Sequence, residues 1–105
     1  MRRDVRYEVR CPVAFVVDGK PGDGSTFNLS RGGCAIETET YAAVDDPVSL
    51  QITVSTQSTP ITIELGKVRW STRREFGVEF MVVEGPSKRR LDDFLLEVAK
   101  DKLTS

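Results

Sequence analysis

Two groups of polar side chains near the start of the chain carry the residue types that bind phosphates and nucleobases. Three arginines lie at the N-terminus, Arg2, Arg3 and Arg6, and the run Asn28-Leu29-Ser30-Arg31-Gly32-Gly33 follows further along. A guanidinium presents a planar fork of donors that matches phosphate oxygens and the edge of guanine. Asparagine, serine and exposed backbone beside glycine can recognise the polar rim of a small ligand. Together the two groups predict an anion site of the kind that binds a nucleotide.

The composition requires such a site to be local. The chain has 105 residues, 39% of them hydrophobic and 30% charged, which is enough for one globular domain with its own core. Its 15 lysines and arginines against 16 acidic residues give a net charge of -1, so no overall positive field attracts DNA or RNA. Taken alone, the N-terminal arginines are also typical of a solvated terminus.

Several function classes find little support in the residues. The chain has no histidine, and it shows no nucleophile beside a base, no phosphate-cradling GxxxxGK loop and no metal-ligand cluster, so we expect neither enzymatic activity nor a metal or cofactor. No apolar run approaches the ~20 residues that cross a bilayer, and no signal peptide is recognisable, which predicts a cytoplasmic protein without membrane insertion. Cys11 and Cys34 lie in apolar strand patterns and are expected to be buried, reduced thiols, with a disulfide or redox role as the alternative.

Alternating apolar residues predict six short strands. The alternating segments are 7–17, 25–27, 34–38, 48–54, 61–70 and 76–82. The turn-rich run 18–24 ends the first segment, and the basic link 71–74 joins the last two as a hairpin. In the fifth segment the large residues change phase past Gly66, from Ile63 and Leu65 to Val68 and Trp70, which predicts a β-bulge.

A C-terminal helix is predicted over residues 87–103. Its apolar residues recur at helical spacing, namely Leu91, Phe94, Leu95, Val98 and Leu103. Such a stripe can cover an open end of the β-structure, which we expect, or dock on a partner. Six strands followed by one helix predict a mainly β fold, a small antiparallel barrel or sandwich with a C-terminal α-helix.

Four short motifs follow one another in the chain. Arg2-Arg3-Asp4-Val5-Arg6 reads as an RxxxR box, and Asn28 to Gly33 reads as a D/NxSxxG box. Gly66-Lys67-Val68-Arg69-Trp70 and Phe76-Gly77-Val78-Glu79-Phe80 read as G-x-V-x-W-like and G-V-x-F-like strands. In this order they resemble the PilZ family of cyclic di-GMP receptors over nearly the whole chain. The resemblance implies one domain over 1–105: an arginine-bearing segment 1–6, a split six-stranded antiparallel β-barrel over 7–83 and the helix.

The resemblance implies that the RxxxR arginines bind cyclic di-GMP, a bacterial second messenger. Arg2 and Arg6 match the box and Arg3 would be a third contact, on a loop that folds over the ligand and pairs with phosphates and guanine edges. Arg6 and Arg10 also satisfy RxxxR, but Arg10 falls within the first alternating segment, so we favour the earlier pair. Because the segment is highly charged and has little to bury, we expect it to be flexible until the ligand orders it.

The second box and the late tryptophan would complete the ligand site. The resemblance implies that Asn28 contacts the Watson-Crick edge of guanine, that Ser30 binds a phosphate or guanine, and that Gly33 lets ligand and backbone approach closely. Arg31 could supply a further phosphate contact. Trp70 either fills the core or stacks on a guanine ring, and the phase change in its strand leaves both open.

These inferences predict a non-enzymatic receptor. Ordering of its N-terminal segment by cyclic di-GMP would change the surface offered to a protein partner in motility, exopolysaccharide or regulatory machinery. One alternative is a PilZ-like interaction adaptor that binds no nucleotide, against which the intact boxes argue. Another is an OB-like barrel that binds RNA or single-stranded DNA, but such a barrel needs a basic groove with several exposed aromatics. We therefore expect no nucleic-acid partner.

Overall fold

Six antiparallel strands close into a barrel, and one helix follows them. The structure is a computed structural model that describes residues 5–55 and 57–104, with side chains as far as Asp101. The elements are β1 (Pro12–Val17), β2 (Lys20–Leu29), β3 (Gly33–Glu37), β4 (Pro47–Ile52), β5 (Ile61–Ser71), β6 (Glu75–Val82) and α1 (Gly85–Thr104). Their order around the barrel is β1-β2-β3-β6-β5-β4, and β4 pairs back with β1. The predicted mainly β fold, a six-stranded antiparallel barrel with a C-terminal helix, is confirmed.

Alternation along the strands fills the barrel with apolar side chains. Val13 and Phe15 of β1 are buried, and the Phe15 ring meets Phe76 edge to face with centroids 5.3 Å apart. Cys11 and Cys34 are buried and free, as predicted. Burial raises the pKa of the Cys34 thiol to about 12, so it stays protonated at neutral pH. Because a barrel of this size is filled by its own side chains, a ligand has to bind on its outer wall.

The helix α1 packs onto the barrel, as expected for a covering role. The stripe residues Leu91, Phe94 and Leu95 are buried in the same core as the strands. The start of α1 is tied to β5, where the Thr62 N–H donates to Ser87 Oγ at 3.2 Å. The side chain of Leu103, the last residue of the predicted stripe, lies outside those described. Within the described residues, no helix is both long and apolar enough to span a membrane.

Two predictions about the first strands were wrong. β1 begins at Pro12, and Tyr7 contributes only an isolated bridge to Leu29. The turn predicted over 18–24 is only two residues long, because Val17 pairs with Lys20 across Asp18-Gly19. These two residues have φ of 48° and 78°, which is the backbone of a tight hairpin turn. Residues 20–24 therefore belong to β2 despite their glycines.

β5 contains two register shifts where the sequence predicts one. The predicted bulge near Gly66 is seen against β4, where Leu50 pairs with Ile63 and Val48 with Gly66, and it leaves Leu65 on the outer wall, 42% exposed, rather than in the core set. A second shift between Val68 and Trp70 changes the phase again. Because a slip of one residue moves the following side chains to the opposite face, Val68 is buried whereas Trp70 is on the outside.

Gly24 sets how closely β2 approaches β3. A methyl group at this position would overlap the backbone carbonyl of Glu37. We therefore expect Gly24→Ala to lower the free energy of unfolding by about 1–3 kcal/mol, measured by urea denaturation. The control is Gly85→Ala at the start of α1, where an added methyl group would meet no packed neighbour beyond its own turn of the helix. The stability of this variant should change by less than ~1 kcal/mol. Equal unfolding midpoints for the two variants would contradict the packing argument.

Candidate functional site

Two backbone hydrogen bonds hold the start of the described chain beside the end of β2. The Tyr7 N–H donates to the Leu29 carbonyl and the Leu29 N–H donates to the Tyr7 carbonyl, each at 3.0 Å. This bridge places Arg6 next to the second box, and Arg6 Nη1 donates to Asn28 Oδ1 at 3.1 Å. The structure thus brings together one residue from each box.

The two arginine pairs that match RxxxR differ in where their members lie. Arg6, which belongs to both pairs, meets the second box, whereas Arg10 forms an ion pair with Glu37 at 2.8 Å. The contact to Glu37 directs Arg10 to the far end of β3. Arg2 and Arg3, with most of the predicted flexible segment 1–6, lie outside the described residues, so their roles stay predictions.

Ser30 shapes the turn between β2 and β3. Its side chain is buried, and its Oγ accepts hydrogen bonds from the N–H groups of Gly32 and Gly33 at 3.2 and 3.1 Å. The same hydroxyl donates to the Gly33 carbonyl at 3.2 Å. One donor and two acceptor positions are all that a hydroxyl offers. A ligand contact to Ser30 would therefore have to exchange one of these bonds.

Gly33 permits a close approach between two strands. A methyl group on Gly33 would overlap the carbonyl of Val78 on β6. The neighbouring turn is also fastened to β6, since the Phe80 N–H donates to the Gly32 carbonyl at 2.9 Å. The barrel wall itself requires this glycine, independently of the predicted approach of a ligand.

Arg31 connects the same turn to the helix. Its Nε lies 3.2 Å from Asp92 Oδ1 on α1, and both side chains are largely exposed. The pair borders a cavity of about 250 Å³ between the turn, the end of β6 and α1, lined in part by Phe80 and Met81. An exposed ion pair contributes at most about 1 kcal/mol, so this connection is easily exchanged.

The outer wall beside Asn28 is a strip of small residues that ends at Trp70. Consecutive strands pair Asn28 with Ala35, Ala35 with Gly77, and Gly77 with Trp70. The indole lies over Gly77, where a methyl group would overlap its Nε1. Trp70 is 41% exposed, so it does not fill the core. Ala35 is only 1% exposed and Gly77 is buried, so the exposed indole of Trp70 is the part of this strip on which a nucleobase can stack.

Two acidic residues, Asp92 and Glu79, border this region, and neither was predicted from the sequence. Asp92 holds Arg31, and Glu79 lies beside Gly33 on β6, where its Oε1 is 2.7 Å from Arg69 Nε. Asp92 has no signal in the sequence, because it is remote from the box along the chain. Glu79 does have a signal in the sequence, because strand alternation places it on the same face of β6 as Gly77. No cluster of three metal-ligating side chains occurs among the described residues.

Known proteins resemble the chain in both sequence and fold. The sequence model of the PilZ domain matches residues 1–97. The chain belongs to the PilZ domain family. Among solved structures, the Bacillus subtilis inhibitor of motility MotI/DgrA has a TM-score of 0.77 at 17% identity, covering 100% of this chain and 53% of that one. The PilZ domain of CeSA from a cellulose-synthesizing bacterium has a TM-score of 0.71 at 14% identity, covering 90% and 98%.

The two solved structures support the PilZ fold and no more than the fold. Their identities of 17% and 14% are too low to carry a binding residue from one chain to another. This PilZ domain spans about half, 53%, of the MotI/DgrA chain. No curated protein matches its sequence significantly.

Trp70 is the only tryptophan of the chain, so its fluorescence reports on the strip directly. Gly77→Ala should push the indole off the barrel wall, because the new methyl group takes the place of the ring. We expect the emission to move to longer wavelength while the far-ultraviolet circular dichroism stays that of the folded domain. Gly85→Ala, remote from the strip in the chain, should leave the emission unchanged. An unshifted spectrum for folded Gly77→Ala would show that Trp70 does not lie over Gly77.

Proposed function

We propose that this PilZ domain is a non-enzymatic receptor for cyclic di-GMP, bound on the outer barrel wall between Arg6 and Trp70. The observation that carries the proposal is the 3.1 Å hydrogen bond from Arg6 to Asn28, because it joins the RxxxR box to the first residue of the NxSxxG box. PilZ domains are in general receptor domains without catalytic activity, which agrees with this assignment.

Among the described residues, Arg6 uses one of its donors, for the hydrogen bond to Asn28. A guanidinium has five N–H donors, and Asn28 accepts from Nη1. Arg6 is exposed, so its remaining donors can bind two oxygens of a phosphate or the O6 and N7 atoms of guanine. Asn28 then orients the arginine, and its own NH₂ group is left to donate to the ligand.

Trp70 provides the second part of the proposed site. Stacking of a base on an aromatic side chain contributes about 1–3 kcal/mol, and the lack of a side chain at Gly77 lets the Trp70 ring lie flat against β6. The predicted contacts from Arg2 and Arg3 would close over a ligand that lies on this strip. In the proposed receptor the segment 1–6 becomes ordered by these contacts.

The signal would reach a protein partner through Arg31 as well as through the N-terminal segment. A phosphate near the turn competes with Asp92 for the Arg31 guanidinium, and loss of the 3.2 Å pair frees the adjoining face of α1. The partner belongs to motility, exopolysaccharide or regulatory machinery in this proposal. MotI/DgrA, named as an inhibitor of motility, and the PilZ domain of CeSA show the fold in two such settings.

An adaptor that binds no nucleotide is the alternative function. The observation that favours it is that Asn28 Oδ1, Ser30 Oγ and Arg31 each already have a partner within the protein. Such pairing would make the boxes structural elements of the barrel. Direct measurement of binding separates the two functions.

Titration calorimetry with cyclic di-GMP tests the receptor proposal. We expect Arg6→Ala to weaken binding by about 10- to 100-fold, the loss that corresponds to roughly 1.4–2.8 kcal/mol. Arg10→Ala is the matched control, because it removes the same side chain from the competing RxxxR pair; its affinity should stay within about threefold of wild type. A folded wild-type protein that gives no heat at high-micromolar ligand would favour the adaptor, and equal losses in both variants would place the site elsewhere.

The proposed exchange at Arg31 makes a second prediction. Asp92→Asn should raise the affinity for cyclic di-GMP by about two- to fivefold, because the ligand no longer has to displace a carboxylate in an exposed pair worth at most about 1 kcal/mol. Asp93→Asn removes the same charge from the next position of α1 and should change the affinity less. Calorimetry at one ionic strength measures both, and an equal gain in the two variants would mean that only the general charge matters.

A further inference from the structure

Glu79 stands on the outer wall immediately beside the second box. Its partner on β3 is Gly33, the last residue of that box. Two residues earlier on β6, Gly77 lies under the Trp70 ring on the same face. Strand geometry separates the Cα atom of Glu79 by about 5 Å from that of Gly33 and by about 7 Å from that of Gly77. The carboxylate therefore borders the strip that runs from Asn28 to Trp70.

The Glu79 carboxylate is held in position but incompletely satisfied. Arg69 Nε lies 2.7 Å from Oε1. That oxygen is shielded from solvent, yet it has no aligned hydrogen-bond donor among the described residues. The ion pair with Arg69 satisfies this oxygen in part, so a ligand N–H has to reach the carboxylate from its exposed side. The side chain as a whole is 45% exposed, so a ligand can reach the carboxylate.

Guanine has a Watson-Crick edge that a carboxylate matches. Its N1–H and N2 amino groups are two adjacent donors, and an ionised Glu accepts on both oxygens. Asn28 cannot play this part alone, because it has a single side-chain oxygen, which also accepts from Arg6, and no second acceptor beside it. Adenine presents an acceptor at N1 instead, which a carboxylate repels. A carboxylate on this strip would therefore distinguish guanine from adenine.

We propose that Glu79 is the guanine-specificity residue of the site and accepts hydrogen bonds from N1–H and N2 of a base placed beside Trp70. Arg69 is a positioning residue that acts through Glu79, because its ion pair fixes the carboxylate. This inference rests on the proposed function, since it names how the same site selects its nucleotide.

The test compares two cyclic dinucleotides by titration calorimetry. Wild type should bind cyclic di-GMP in preference to cyclic di-AMP. Glu79→Gln should lose about 10-fold or more in affinity for cyclic di-GMP, with binding of cyclic di-AMP unchanged or stronger. Removing a negative charge by itself favours an anionic ligand, so a loss of affinity cannot arise from the general field of the protein.

Three further variants make the test specific. Glu39→Gln removes the same charge from an exposed residue beyond the other end of β3 and should leave both affinities within about twofold. Arg69→Gln should lower the affinity for cyclic di-GMP less than Glu79→Gln does, because the carboxylate remains but is no longer held. Glu79→Asp keeps two acceptors on a shorter side chain, so we expect weaker binding with the preference for guanine retained. The far-ultraviolet circular dichroism verifies that each variant is folded.

The outcomes separate this inference from the function on which it rests. If folded wild type binds neither dinucleotide, the receptor proposal fails and the role of Glu79 fails with it. If wild type binds cyclic di-GMP and folded Glu79→Gln retains both the affinity and the preference for guanine, the assignment of Glu79 alone is overturned. An equal loss in Glu79→Gln and Glu39→Gln would also overturn it.

Discussion

Closure of the six-stranded barrel is the constraint on which the rest of the structure depends. Because β4 returns to β1, every strand has a neighbour on both sides, and the inward faces are filled by the apolar side chains of the protein itself. A ligand or partner can therefore meet only the outer wall and the helix. On that wall, Ala35 and Gly77 leave a low surface on which Trp70 lies. The close strand spacing that packs the barrel also creates the platform of the candidate site.

The polar groups around this platform are paired with one another. The three pairs are Arg6–Asn28, Arg31–Asp92 and Arg69–Glu79. Each pair joins an arginine to a partner on another element or segment. The side chains of the two ion pairs are about half exposed. Each ion pair is therefore weak, on the order of 1 kcal/mol or less. Weak pairs hold side chains in a defined position and can be exchanged at little cost. In the proposed receptor, a ligand would exchange with Asp92 for Arg31, and this pair, which reaches α1, would link binding to the helix.

Much of the fold follows from local patterns in the sequence. Alternation with a period of two predicts the six strands, and the apolar stripe from Leu91 to Val98 predicts the helix that packs on the barrel. The wrong predictions lie where a short-range exception overrides the pattern. The two-residue turn at Asp18-Gly19 lets β2 start earlier than its glycine-rich sequence indicates, because both residues adopt positive φ.

By itself, the sequence determined the strand and helix pattern and the two boxes, and it favoured the pair Arg2 and Arg6 over Arg6 and Arg10. Only the tertiary structure decided which way Trp70 faces, because a second one-residue shift in β5 inverts the alternation that the sequence displays. It also decided that Ser30 is engaged within its own turn and that Arg31 pairs with Asp92. The Ser30 contacts depend on the exact geometry of the turn, and the Arg31 contact depends on the distance between two remote segments. Alternation in the sequence predicts which face of a strand a side chain occupies, but only the closed barrel determines which side chains from different elements come into contact.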